Sequence, residues 1–340
     1  MNRRKFFLSL AGGAALGWIG WKSSSQGPTP ELKHKFLEGM VKLARSQRAF
    51  GTDVSITVFH PNKRQAEKAI QRAFKEIELV EDLMSIYHPE SQLSQLNRDK
   101  TVSQPHPYLV EVLKTATDLS KETNGAFDIT VQPLYQLYAQ SADSNHRPDP
   151  GRIKSVLEQV NWRKLEVSSQ QIRLYGEHSA ITLNGIAQGY AADLVAMRLR
   201  QSGIEHALIN SGEIGTIGKH IEDRDWSIGI KHPRNKNNVL GVTELKGRCL
   251  ATSGDYETRF GAGFEHHHLL DPRTGASANE LSSVSIAAPT ALMADALSTA
   301  VFVMGLQRGK ELLRTIPNVD ALFITKQGHI HQTNHFPFIT

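Results

Sequence analysis

Ser283-Val284-Ser285-Ile286-Ala287-Ala288-Pro289-Thr290-Ala291-Leu292-Met293-Ala294-Asp295-Ala296-Leu297-Ser298-Thr299-Ala300 changes character at its proline. Before Pro289 the residues read as a strand, and from Thr290 to Met304 they read as a helix. Strands and helices follow one another in the same irregular way on either side. Gly51 to His60 alternates Val54, Ile56 and Val58, a strand pattern. Gln65 to Tyr87 carries Ala66, Ile70, Phe74, Ile77, Val80 and Met84 at helical spacing along one face. Tyr108 to Thr123 reads as a second helix, stopped by Asn124-Gly125. Polar Ser141 to Gly151 reads as a surface loop and Arg152 to Val160 as a short helix. Lys164 to Val167 with Gln171 to Tyr175 reads as a hairpin. Ile186 to Gln201 reads as a helix with Gly203 beyond it. Ala207 to Ile209, Trp226 to Ile230 and Ala321 to Thr325 complete the strands. No βαβα rhythm runs through this order. It predicts an α+β fold: a single compact catalytic domain of mainly antiparallel sheet and packed helices.

The chain has 340 residues, 39% apolar and 21% charged, enough to bury a sizeable core. Its net charge of +5 is scattered, with no basic stripe interleaved with aromatics, so no nucleic acid partner is expected. The charged start Met1-Asn2-Arg3-Arg4-Lys5 runs into a weakly apolar stretch from Leu8 to Trp21. This resembles a twin-arginine (Tat) signal peptide and implies a periplasmic protein. A retained N-terminal membrane anchor is the alternative. The stretch is short for a membrane span. Residues 1–30 are therefore read as signal peptide and linker, and 31–340 as the catalytic domain. The lone cysteine, Cys249, excludes an intramolecular disulfide and reads as a buried structural thiol.

Four segments carry chemistry. Asp295 and Thr299 share a helical face among small apolar neighbours. Two oxygens there suit a hard cation such as Mg2+, yet a capped or back-bonded polar pair fits the spacing at least as well. Asn184-Gly185-Ile186-Ala187-Gln188-Gly189-Tyr190 opens a helix with two glycines, so backbone amides there could meet a phosphate or simply form a tight turn. His266-His267-His268-Leu269 precedes the turn Asp271-Pro272-Arg273-Thr274-Gly275. Adjacent histidines on a strand face opposite ways, which argues against one shared zinc ion and for a single histidine beside an anionic ligand. Gly125-Ala126-Phe127-Asp128 follows a helix stop and reads as a packed turn or the wall of a heterocycle site.

Taken in order, these segments resemble the FAD:protein FMN transferase (ApbE) family. The resemblance runs from about Phe50 to Gly305. It includes Met84-Ser85-Ile86-Tyr87 with Ser91 to Asn97, Gly125 to Leu134, Gly185 to Asp193, Ala251-Thr252-Ser253-Gly254-Asp255-Tyr256-Glu257, His268 to Gly275, and Ala294 to Thr299. It implies a Mg-dependent transferase that attaches FMN from FAD to a Thr or Ser hydroxyl of a target flavoprotein, releasing AMP. It implies Mg2+ ligands in the Ala187 carbonyl, Asp295 and Thr299. It implies an FAD site lined by Phe50, Tyr87, Ala126, Phe127, Asp128, Gln188, Tyr190, His268 and Leu269, with His268 or Asp255 as the base. The chain departs from the family pattern at Phe50 (for Met), Gln188 (for Lys), Asn184 (for Gly) and Thr182 (for Asp). The Gln188 form joined to a Tat-type leader resembles the branch serving the membrane flavoprotein of nitrous-oxide respiration. The implied partner is thus a periplasm-facing domain of a membrane redox complex. An FAD-binding protein, or an FAD pyrophosphatase without protein acceptor, is the rival reading.

Overall fold

Every side chain of the strand that opened the sequence reading is buried. This strand, β11 (Leu281–Ala288), lies inside an eight-stranded antiparallel sheet and is covered on both faces. The computed structural model describes residues 39–143, 148–220 and 224–339, so the proposed signal peptide and linker lie outside the described residues. The sheet runs β1 (Val41–Ala49), β2 (Thr52–His60), β6 (His206–Asn210), β7 (Ile214–Ile217), β10 (Cys249–Gly254), β11, β12 (Asp320–Thr325), β13 (Ile330–Gln332). All its pairings are antiparallel.

Helices cover one face. Helices α1 (Lys63–Met84) and α6 (Ala187–Gln201) pack over β2 and β6, joining Val54, Ile56 and Val58 to Ile70, Ile77, Val195 and Leu199. Helix α7 (Ala291–Met304) lies over β10 and β11, and α8 (Leu306–Leu313) follows it. Helix α3 (Pro107–Glu122) extends this larger core together with a small sheet of β3 (Thr101–Ser103), β5 (Gln171–Leu174) and β4 (Leu165–Val167). Three shorter-range helices complete the chain order: α2 (Gln92–Asp99), α4 (Gln132–Asp143) and α5 (Pro150–Leu157). The other face of the main sheet is covered by a second sheet, β8 (Trp226–His232), β9 (Asn235–Leu245) and β14 (Phe338–Ile339). Ile228, Ile230 and Leu245 meet Ile214, Leu250, Ala287 and Leu322 there. Among the described residues no helix is long and apolar enough to cross a membrane.

The expected strands and helices are present, with two kinds of difference. Strands β1 and β9 carry little apolar alternation. β1 is an edge strand whose Lys42, Arg45 and Arg48 face solvent, and edges are commonly kept charged. The loop expected over Ser141 to Gly151 is shorter, because α4 reaches Asp143 and α5 starts at Pro150. Cys249 begins β10 and is buried, which pushes its thiol up to about 12.

Two helices cap one another. Helix α6 has no side-chain cap from its own sequence. Its third residue, Gly189, donates its N–H to Asp295 Oδ2 of α7 (3.0 Å). In return Asp193 of α6 accepts from the first amides of α7, Ala291 N (2.8 Å) and Leu292 N (2.9 Å). Carboxylates at helix starts satisfy orphan amides and oppose the positive end of the helix dipole. The helices approach so closely that a Cβ on Gly189 would lie 2.3 Å from the Ala291 carbonyl oxygen and 2.7 Å from Asp295 Cβ.

Gly189→Ala is therefore expected to destabilise the protein by about 1–3 kcal/mol, the usual cost of forcing extra atoms into a packed contact. Gly261→Ala, where an added Cβ meets nothing within 4 Å, is the comparison with little expected effect. Urea midpoints of the two variants check this, and equal midpoints would show that the helix contact is slack.

Candidate active site

The helix crossing gathers oxygen donors. Asp295 is 4% exposed and faces the first turn of α6. Thr299, one turn along α7, lies against Gly185, where a Cβ would sit 2.8 Å from Thr299 Oγ1. The two contacts bracket Ala187, the buried first residue of α6. Ser253 of β10 reaches the same place, with Oγ 2.7 Å from Ser298 Oγ and 3.3 Å from Thr299 Oγ1. The structure thus brings together Ala187, Asp295 and Thr299, the three positions where the family resemblance puts a cation.

The charge balance suits such an ion. Burial first, then nearby Asp193, raises the Asp295 carboxyl to about 7. Burial and Asp295 together push Glu213 well up. Among the described residues no Lys, Arg or His makes an ion pair with either acid. Buried carboxylates without counter-charge are costly, and a bound cation would relieve that cost. Among the described residues no three His, Cys, Asp or Glu side chains gather as a metal cluster. The available set is instead carboxylate, hydroxyl and carbonyl oxygen, which is magnesium-like rather than zinc-like.

Around this centre stand the residues implied as a flavin wall. Gln188 binds the β6–β7 turn: its Nε2 donates to the Ser211 carbonyl (3.1 Å) and Ser211 Oγ donates back to the Gln188 carbonyl (2.9 Å). Tyr87 is 46% exposed and shares a hydrogen bond with Asn184, immediately before Gly185. Phe50 occupies the left-handed region (φ 51°) with Gly51 beside it (φ 72°) at the β1–β2 turn. Such pairs of positive φ match the twist of a two-residue hairpin but are uncommon for an aromatic residue. The Phe50 N–H is held by Glu81 Oε1 of α1 (2.8 Å).

Other implied positions lie inside the packing. Ala126, Phe127 and Leu269 are buried. Asp128 accepts from Thr130 N (2.8 Å), Thr130 Oγ1 (2.6 Å) and Trp162 N (3.0 Å), so its carboxylate locks its own turn. Tyr190 is 3% exposed and gives its hydroxyl to Glu111 Oε2 (2.7 Å) between α3 and α6.

The three adjacent histidines divide their work. His267 is fully buried; its Nε2 donates to the Ala278 carbonyl (3.0 Å) while its Nδ1 accepts from Leu269 N (3.3 Å), the pattern of a neutral ring. Burial lowers it to about 3. His268 is partly buried and its Nδ1 faces the Thr258 carbonyl (3.2 Å). With that nitrogen donating, Nε2 keeps its lone pair, and burial lowers the ring so that it is neutral near pH 7. Asp255 is completely buried between Arg234 and Lys326, with both oxygens committed. Full enclosure and two cationic partners tie this carboxylate to the surrounding architecture, where a substrate hydroxyl has no open approach to it.

Sequence reasoning did not single out Asp193, Ser253 or Glu213. Asp193 closes the Gly185 segment, but its partner amides lie 98 and 99 residues away, which no local spacing reveals.

The chain matches the family model described as the ApbE family over residues 50–323. It is 32% identical over 275 residues to an FAD:protein FMN transferase of Klebsiella pneumoniae, covering 78% of this chain and 84% of that protein. It is 30% identical over 284 residues to the FAD:protein FMN transferase of Escherichia coli, covering 80% of each. Its fold is similar to the solved structure of an ApbE protein from Thermotoga maritima, with a TM-score of 0.77 and 28% identity over 86% of this chain and 97% of that one. The flavin transferase ApbE from Vibrio cholerae gives the same TM-score of 0.77 at 26% identity, over 88% of this chain and all (100%) of that one.

His267 generates a pH signature. Its folded value of about 3 lies below the 6.5 of an unfolded histidine, so the unfolded chain takes up the proton first. Its contribution to stability is complete above pH 6.5 and is lost as pH falls towards 3, amounting to about 2 kcal/mol by pH 5. His267→Gln, which keeps a donor and an acceptor, should lose less stability between pH 7 and pH 5 than the wild type. Denaturant titrations at the two pH values check this, and parallel losses would show that His267 is not the titrating group.

Proposed function

The chain belongs to the ApbE family, and from that membership we propose that it is an FAD:protein FMN transferase of the exported, Mg-dependent kind. The observation that carries the reading is the convergence of Ala187, Asp295 and Thr299 at the α6–α7 crossing, in a chain whose ApbE match spans them. These three would hold Mg2+, which when bound neutralises the FAD pyrophosphate and the charge on the departing phosphate.

The transfer forms a bond between a Thr or Ser oxygen of the acceptor protein and the phosphorus on the FMN side of FAD. The pyrophosphate bond to AMP breaks, and AMP leaves with the electron pair. The hydroxyl proton goes to a base, for which His268 Nε2 fits: its ring is neutral and its other nitrogen is tied to Thr258. Phe50, Tyr87 and Gln188 would flank the flavin, with Gln188 contributing no charge. The Arg3-Arg4 leader supports export to the periplasm, and the acceptor would be a periplasm-facing domain of a membrane redox complex.

Incubation with FAD, Mg2+ and such an acceptor domain, followed by mass measurement of the acceptor, tests the reading. The acceptor should gain one FMN. Asp295→Ala should abolish that gain and also remove the thermal stabilisation that Mg2+ confers on the wild type. Full labelling by Asp295→Ala would overturn the metal assignment. Free FMN and AMP with an unlabelled acceptor would instead assign hydrolysis of FAD by water.

A further inference from the structure

The proposed base sits on a strap that the rest of the molecule grips from outside. After β10 the chain leaves the main sheet at Asp255 and returns to it at β11. Between these points Thr258 to Phe260 runs antiparallel to His266 to His268. Phe260 N donates to the His266 carbonyl (2.8 Å), His268 N donates to the Thr258 carbonyl (3.0 Å), and Arg259 bridges His267. The orientation of the His268 ring depends on this register, because its Nδ1 partner is the same Thr258 carbonyl.

Two cations from remote segments hold the strap. Arg234, in the β8–β9 turn, makes a bidentate pair with Asp255: Nη1 to Oδ1 at 2.7 Å and Nη2 to Oδ2 at 2.8 Å. The same guanidinium lies over the Phe264 ring, 3.9 Å from its centroid. Lys326, just past β12, donates to Asp255 Oδ2 (2.5 Å) and to the Phe264 carbonyl (2.6 Å). Each cation therefore touches both the base of the strap and its tip. Asp255 is wholly enclosed, whereas the side chains of Arg234 and Lys326 are 31% and 16% exposed. A bidentate Arg–carboxylate pair carries geometric precision that a single contact lacks. Lys326 lies beyond the residues matched by the family model, which end at 323.

We propose that Arg234 and Lys326, acting through Asp255 and Phe264, are positioning residues that fix His268 for proton acceptance. The inference rests on the transferase reading for its chemistry. Its structural half, that the two cations set the His268 ring, stands apart from that reading. A positioning error of about 1 Å at a reacting group costs on the order of 100-fold in rate. Loss of either grip should therefore appear in kcat, with KM for FAD nearly unchanged.

The experiment compares full-length wild type with Lys326→Met, Lys326→Arg and Arg234→Gln. Imidazole nitrogen and carbon-bound proton NMR signals of His268 are recorded on the FAD-free protein, assigned by loss in His268→Gln. FMN transfer to an acceptor domain is then followed with FAD and Mg2+. Lys326→Met and Arg234→Gln are expected to shift the His268 signals and to lower kcat on the order of 100-fold. Lys326→Arg should restore both. Unchanged His268 signals in the two disruptive variants would overturn the proposal. So would a normal kcat despite shifted signals. A third contrary outcome is that Asp255→Asn abolishes transfer while its His268 signals stay in place, which would make Asp255 the base itself. If Lys326→Met does not fold, Arg234→Gln, altering the more exposed cation, carries the same reading. Should the wild type transfer no FMN, the functional reading fails, while the FAD-free signals still decide the positioning claim.

Discussion

Each of two helices completes the start of the other. Asp193 reaches from α6 to the first amides of α7, and Asp295 reaches from α7 to the amide of Gly189 in α6. Neither carboxylate acts within its own helix. The exchange works only if the backbones nearly touch, so a glycine must stand at position 189. That contact determines where Thr299 lies relative to Gly185, and where Ser253 of β10 meets Thr299. The oxygen-lined centre is thus a by-product of how the helices are joined.

The same arrangement places acids at a point where helix dipoles alone cannot balance them. Two helix starts offer partial positive charge, yet Asp193, Glu213 and Asp295 together exceed it and all are raised by burial. A fold optimised only for stability would put apolar or neutral groups there. The acids at this point leave negative charge that a bound cation would balance. The contrast with Asp255 is instructive. That acid is buried more completely, yet it has two cations of its own and serves the architecture around it.

Much of the fold could be read from the sequence because β2, α1, α3 and α6 present one apolar face at regular spacing. The antiparallel character followed from strands and helices that alternate without rhythm. Strands β1 and β9 were not legible, since an edge or outer strand has little to bury and carries polar residues instead. The site divided in the same way. Asp295 and Thr299 share a helical face, which spacing shows, but spacing could not separate a metal pair from a capping pair. The structure shows that Asp295 is a cap, to another helix, and that this role leaves its charge uncompensated. Asp255 looked like a free acid because its partners, Arg234 and Lys326, lie 21 and 71 residues away. Tyr190 and Asp128 looked like ligand contacts, and only their neighbours Glu111, Thr130 and Trp162 reveal that their polar atoms are already engaged.

The Gly189–Asp295 hydrogen bond spans 106 residues of chain. Closing so long a loop has an entropic cost that must be met before the contact contributes anything in return. Between its two ends the chain also has to lay down β6 and β7, which pack against α6, and β10 and β11, which pack against α7. No early fragment of the molecule can contain the centre, and no nascent chain ending before α7 can hold a cation or a nucleotide there. The centre can form only once the chain has reached Thr299, and any ligand that binds there would favour the folded molecule by mass action.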